Sequence, residues 1–288
     1  QGEKLIEAYF TPMAESFGVA LNSGWYNTAK PHSLGGFDVT FTLNTVIIPN
    51  SAETFNIKDA GGTTFTSTEN EASTIFGSSD VTPMTYNVQG TGTLGQSDFE
   101  MPRGLRTQAI PLPMIQAGIG LIKNTAIDIR YMPMLNVGNA VKVNLFGIGL
   151  KHDLLQWIPV IGDAIPMSLS IQGGYTSLNT ELEVATSQKV NLTTKATTIN
   201  LVASRKILMV TGYAGVGYNS ANTTFAADAN FDLRGVQFDE KVDIKFESNN
   251  NIRANVGLRF NITLVTIQAD YTFAEYPTAT LGVGISLR

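Results

Sequence analysis

The chain has no cysteine, so it forms no disulfide and carries no cysteine-linked lipid. Histidine is almost as scarce, with His32 and His152 alone. Two imidazoles and no thiol give little from which to build a metal centre, and each histidine reads as a structural hydrogen-bonding group. Charged residues are 15% of the 288, against about a quarter in soluble domains. Long apolar runs are also missing. Hydrophobic residues make up 43%, yet no segment approaches the ~20 apolar residues of a membrane-spanning helix. The net charge of -5 argues against nucleic acid as a partner. There is no nucleophile elbow, phosphate loop or HExxH motif. The expectation is a non-enzyme with no catalytic residue, no metal and no cofactor. Asp228, Asp232, Asp239 and Asp243 are not spaced as an EF-hand loop.

What the chain has is alternation, clearest from Asn251 to Arg288. Ile252, Ala254, Val256, Leu258 and Phe260 alternate with Arg253, Asn255, Gly257 and Arg259. Val265 to Phe273 and Leu281 to Leu287 repeat the pattern. Period two means strands with one apolar and one polar face. A transmembrane barrel turns the apolar face to lipid and the polar face to its lumen. Ten strands are predicted, near 36–48, 113–122, 125–135, 141–152, 166–176, 188–204, 207–219, 251–260, 263–274 and 278–288. Twelve follow if 236–246 forms a further hairpin around Glu240 and Lys241. The fold class is therefore all-β, a transmembrane antiparallel up-and-down barrel with a short N-terminal helix.

Of two long excursions, 49–111 shows no convincing strand, and 220–250 carries the candidate hairpin at 236–246. With both termini periplasmic, both excursions fall on the extracellular side, and the tight turns at 123–124, 205–206 and 260–262 fall inside. A turn is expected at 136–140, and a bulge near Leu145 and Phe146. An Arg or Lys facing lipid near the midplane costs roughly 2–4 kcal/mol. Asp38, Asp128, Arg130, Arg253, Arg259 and Asp270 are therefore placed in the lumen, paired as ions.

Residues 1–35 read as a rim or plug segment before a barrel at 36–288. A helix is expected at 2–11, ended by Pro12, with Leu5, Ile6, Tyr9 and Phe10 on one face. Leu154, Trp157 and Ile158 form a second apolar segment on the same side. The two segments are expected to pack together and close the periplasmic mouth. Trp25 and Tyr26 read as interfacial aromatics. The strand pattern implies export, so the chain is read as mature, with its signal peptide removed, and resident in the bacterial outer membrane.

The stretches ALNSGWYNTAKPHSLGGFDVTFTLN (20–44) and LFGIGLKHDLLQWIP (145–159) resemble an outer-membrane barrel family of unknown function found in Bacteroidota. That family is distantly similar to the long-chain fatty-acid transporters. Those transporters have fourteen strands, a hatch domain and a lateral opening for apolar substrates. The resemblance implies a barrel that binds or transports a small apolar molecule. Small barrel size and large loops favour a second function, a non-transporting accessory subunit of a larger outer-membrane machine for secretion, assembly or uptake. Expected partners are membrane lipid, an apolar small molecule under the first reading, and other outer-membrane proteins under the second.

Overall fold

The structure is a computed structural model that describes residues 2–87, 96–137, 141–158, 166–185, 188–233, 236–247 and 252–287. The chain opens with helix α1 (Gly2–Asn22) and strand β1 (Phe37–Ile47). Short elements follow: β2 (Thr54–Asn56), α2 (Ile57–Gly61), β3 (Phe65–Thr66), β4 (Glu71–Ser73), β5 (Pro83–Asn87) and β6 (Gln96–Glu100). Long strands complete it: β7 (Ala109–Leu121), β8 (Thr125–Val137), β9 (Val141–Asp153), β10 (Ser168–Ala185) and β11 (Gln188–Ile207). The last are β12 (Val210–Leu233), β13 (Val236–Glu247), β14 (Ile252–Ile262), β15 (Val265–Phe273) and β16 (Thr278–Leu287).

Ten of these form a closed antiparallel barrel in the order β1-β7-β8-β9-β10-β11-β12-β14-β15-β16, with β16 back on β1. The expected all-β barrel is thus the fold. Its faces are inverted relative to a water-soluble protein. Phe41 (48% exposed), Ile148 (48%) and Leu281 (59%) point outward, while Arg130 (1%) and Asp128 (2%) are buried inside. A continuous apolar exterior of this extent is the stable solution in lipid, not in water.

Backbone hydrogen bonds link the short turns into one rim. Asn261 N–H donates to Met209 O, Ser286 to Leu264 O, Gly35 to Gly120 O, Asp153 to Asn124 O and Leu154 to Leu169 O. Two hairpins turn later than the sequence suggested. Ile207 pairs with Val210 and Ile262 with Val265, so the turns are Leu208-Met209 and Thr263-Leu264. Leu208 (φ 56°) and Thr263 (φ 57°) take the left-handed backbone these turns need. The chain puts register ahead of turn propensity, because a slip would move every outward side chain inward.

The expected bulge lies across the ladder from where alternation slips. Met132 pairs with Leu145 and Leu135 with Val143, so the extra residue is on β8, at Pro133 and Met134. Proline offers no ladder donor, which suits it to that place. Of the turn expected at 136–140, Asn136 and Val137 still belong to β8, and 138–140 lie outside the described residues. The 236–246 region is not a hairpin of its own. β13 runs through Glu240 and Lys241 and pairs with β12 from Asn222↔Glu247 to Leu233↔Val236. At 24 residues, β12 far exceeds the ~9–11 that cross a membrane.

The chain divides into two compact units, Gln1–Ser16 with Ile47–Ile110, and Phe17–Val46 with Pro111–Arg288. This differs from a boundary at residue 35. In the first unit, the excursion expected to be structureless carries β2–β6 and α2. Its core is Leu5, Tyr9, Ile57, Ala60, Ala72, Met84 and Met101, with Phe10 and Phe65 packed alongside. The Asn56 side chain caps α2 by accepting from Lys58 N–H at 2.9 Å. Its strands are two to five residues long, too short to show a period.

Helix α1 does not stop at Pro12. An interior proline forfeits one backbone hydrogen bond. Here Ala14, Val19, Ala20 and Leu21 are all 4% exposed or less, and that burial outweighs the loss.

Candidate functional site

In the barrel unit, residues 17–32 occupy the lumen and 33–36 reach the short-turn rim. The end of α1 is capped by the wall. The last carbonyls of a helix have no intrahelical partner. Arg130 on β8 donates to Leu21 O and Ser23 O, both at 2.8 Å. Arg253 on β14 donates to Asn22 O, and Asn44 on β1 to Ala20 O at 2.9 Å. Cations at a helix C-terminus also complement its dipole.

Gly24 (φ 71°) then turns the chain, a backbone that L side chains rarely adopt. Trp25 follows, with its ring wedged against β9 and β10. A Cβ on Gly149 would lie 2.6 Å from that ring, and one on Gly174 2.5 Å. The Arg130 guanidinium sits 3.7 Å from the ring centroid, a desolvated cation–π contact worth about 2 kcal/mol. Gln116 on β7 donates to Trp25 O at 3.3 Å.

Tyr26 donates to Asn255 Oδ1 at 2.6 Å and meets Tyr213 edge-on at 6.2 Å. Tyr213 in turn donates to Asp270 at 3.0 Å. The Asn27 amide donates to Gln268 Oε1 and accepts from Arg259 at 2.6 Å. Ala29 N–H donates to Ser204 Oγ at 2.9 Å, and His32 Nε2 lies 2.6 Å from Asp38 Oδ1. The segment is thus held by β1, β7, β8, β9, β10, β11, β12, β14 and β15. Beside it is a polar cavity of about 10 Å³, lined by His32, Asp38, Gln116, Asp128, Lys151 and Gln268 among others. That is room for about one water.

All six charged residues placed in the lumen by the sequence are buried there, but their pairing is not the one expected. Arg130 and Arg253 turn to helix carbonyls, Asp270 to Tyr213 and Asp38 to His32 and Thr40. For Arg130, Arg253 and Asp38 the plug supplies a partner within reach. Asp128 Oδ1 accepts from Gln116 at 3.3 Å.

Trp25 (1% exposed) and Tyr26 (4%) are not at an interface. They fill the lumen, because a glycine-lined wall and buried polar partners accommodate both ring and tip. Leu5 and Tyr9 lie in the first unit's core, and Ile6 is 38% exposed. Leu154, Trp157 and Ile158 are not part of that core. They form a turn after β9, where Trp157 Nε1 donates to His152 Nε2 at 2.9 Å. The two segments fall in different units of the chain, and each has partners within its own unit. Sequence reasoning missed Gln116, Ser204, Tyr213 and Asn255. Their one signal is position, as inward residues of strands. Among the described residues no three His, Cys, Asp or Glu side chains gather as a metal site. Asp243 is exposed, and the side chains of Asp228, Asp232 and Asp239 lie outside the described residues.

No curated protein matches the chain. Similar solved structures include the translocator domain of the autotransporter NalP from Neisseria meningitidis. It is 10% identical, with a TM-score of 0.30, over 96% of this chain and 93% of that one. The β domain of the Bordetella autotransporter BrkA is 10% identical, with a TM-score of 0.36, over 89% and 100%. A variant of the monoaromatic hydrocarbon channel TodX is 10% identical, with a TM-score of 0.29, over 95% and 75%. At such identities the likeness concerns fold alone. Residues 1–287 match the model described as a family of unknown function (DUF6588), and the chain belongs to that family.

Proposed function

We propose that the protein is a non-transporting, non-enzymatic barrel of the bacterial outer membrane. Its role is to anchor a folded unit for a larger membrane assembly. The observation that carries this is the occupied lumen. Residues 17–36 are bonded to strand after strand, and the cavity beside them takes about one water. The apolar exterior supports the membrane placement. The first unit has a core of its own and is, in this reading, the part that meets partners.

The transport reading, drawn from the resemblance to fatty-acid transporters, needs the plug to leave. The lumen it would vacate is lined by Arg130, Asp128, Arg253, Asn255 and Gln268, which suits water better than an apolar molecule.

Two measurements test the proposal. In planar bilayers the protein should show no steady conductance. Purified in mild detergent from its own membrane, it should migrate with a stoichiometric protein partner. A lone barrel carrying a bound apolar molecule, or a stable porin-like current, would reverse the choice in favour of transport.

A further inference from the structure

The barrel's short-turn rim is lined with side chains that a water-facing rim would avoid. Leu208 is 89% exposed, Leu34 73%, Ile122 67% and Trp157 63%. They come from different connections, and closure of the barrel sets those connections on one rim. Lys30, Lys123, Arg205 and Lys206 are exposed on the same rim. The described carboxylate there, Asp153, accepts from Leu155 N–H at 2.7 Å. Acidic side chains of this unit, such as Asp243, Glu247 and Glu275, are exposed at the opposite, long-loop end. The long-loop end carries both signs, with Lys195 and Lys245 also exposed there, whereas the exposed charges of the described short-turn rim are mainly cationic.

We propose that this rim seats in the headgroup layer of an anionic phospholipid leaflet. The turn tips enter the acyl region and the four cations face lipid phosphates. The inference rests on the membrane placement argued above and adds which lipid each end meets. Apolar side chains flanked by Lys and Arg are what an interfacial anchor needs, and cations beside an anionic surface add attraction that zwitterionic headgroups do not supply. The rim is continuous with the lipid-facing belt through Ile207, Phe260, Ile262 and Leu264, all exposed. That continuity favours lipid over a protein partner, which would have to match a ring of separate tips.

Trp157 is the natural reporter, because the other tryptophan, Trp25, is sealed in the lumen. The full-length protein would be folded into phosphatidylcholine vesicles containing equal fractions of brominated phosphatidylcholine or brominated phosphatidylglycerol. A Trp157→Phe control gives the Trp25 background. The anionic quencher should act at least about twofold more strongly, and the difference should shrink as salt rises. Replacing Lys123, Arg205 and Lys206 by Gln should erase the preference while the barrel keeps its heat-modifiable migration. Equal quenching by both lipids would overturn the headgroup assignment and leave the membrane placement standing. No quenching by either, in a protein that floats with the vesicles, would put the rim outside lipid and point to a protein cover. Failure to float would instead sink the membrane placement itself.

Discussion

Trp25 is the side chain on which the lumen depends most. Trp25→Ala should cost about 3–5 kcal/mol, read as a lower unfolding temperature in detergent. Gly149→Ala pushes a methyl to within 2.6 Å of the ring and should cost about 1–3 kcal/mol. In a Trp25→Leu background that second cost should largely vanish, because the two share one contact. A non-zero coupling of this sign identifies the wall glycines as a socket for the ring. Little of this was legible beforehand. An aromatic pair just before a strand looks like a membrane girdle, and the glycines that receive Trp25 are on strands more than a hundred residues away. Tyr9 offers a separate test in the first unit. Burial raises its phenol above the ordinary value, and its hydroxyl donates to Arg103 O at 2.8 Å. The stabilisation is fully present below pH 10 and is lost as pH rises through the raised folded value. Proteolysis of the first unit should therefore accelerate in that alkaline window, and Tyr9→Phe should flatten the dependence.

The elements divide sharply in how far the sequence reveals them. Ten strand positions were readable because lipid outside and polar groups inside impose a strict period of two over nine or more residues. The rule fails where a strand leaves the membrane or its inner face meets something apolar. β10 and β12 run well past the segments expected, and Leu178 and Phe225 on their extensions are buried. α1 was cut short at Pro12 because local propensity carries no information about the burial of Val19 to Leu21. The site was half legible: six inward charges stand out, but their partners on 17–36 do not, since a plug has no periodic signature. A deletion tests the element hierarchy. Val210 to Tyr218 of β12 pair with β14, whereas Asp228 to Leu233 pair with β13. Replacing 228–241 by Asn-Gly should therefore leave the barrel closed and resistant to detergent unfolding at room temperature. Loss of that resistance would mean that the extension nucleates the barrel rather than decorating it.

At the scale of the whole molecule, a barrel of ten strands lies near the size that its own side chains fill, well short of the open porins. Here part of that filling is delegated to the chain's N-terminal segment. The consequence is a seal in which hydrogen bonds add to the packing of Trp25 and Tyr26. Such seals depend on complete satisfaction, since each buried polar group left unpaired costs about 1–3 kcal/mol. Arg130 and Arg253 hold three carbonyls at the end of α1, those of Leu21, Asn22 and Ser23. In the Arg130→Met and Arg253→Met double variant, Asn22 O loses Arg253, Leu21 O keeps Thr176 at 3.5 Å and Ser23 O keeps Asn44 at 3.1 Å, while the wall keeps much of its volume. The exterior belt and the strand ladders are untouched, so the barrel should still assemble and insert. Water would then replace the arginines as partner to the helix end, and the segment should leave its seat part of the time. The expected record in planar bilayers is silence for the parent protein and brief, irregular openings for the double variant. Openings in the parent of the same size would mean that the plug is not held by these two side chains. Continued silence in a folded double variant would shift the seal to Trp25, Tyr26 and Asn27, and the triple change with Trp25→Ala would then be the one to open it.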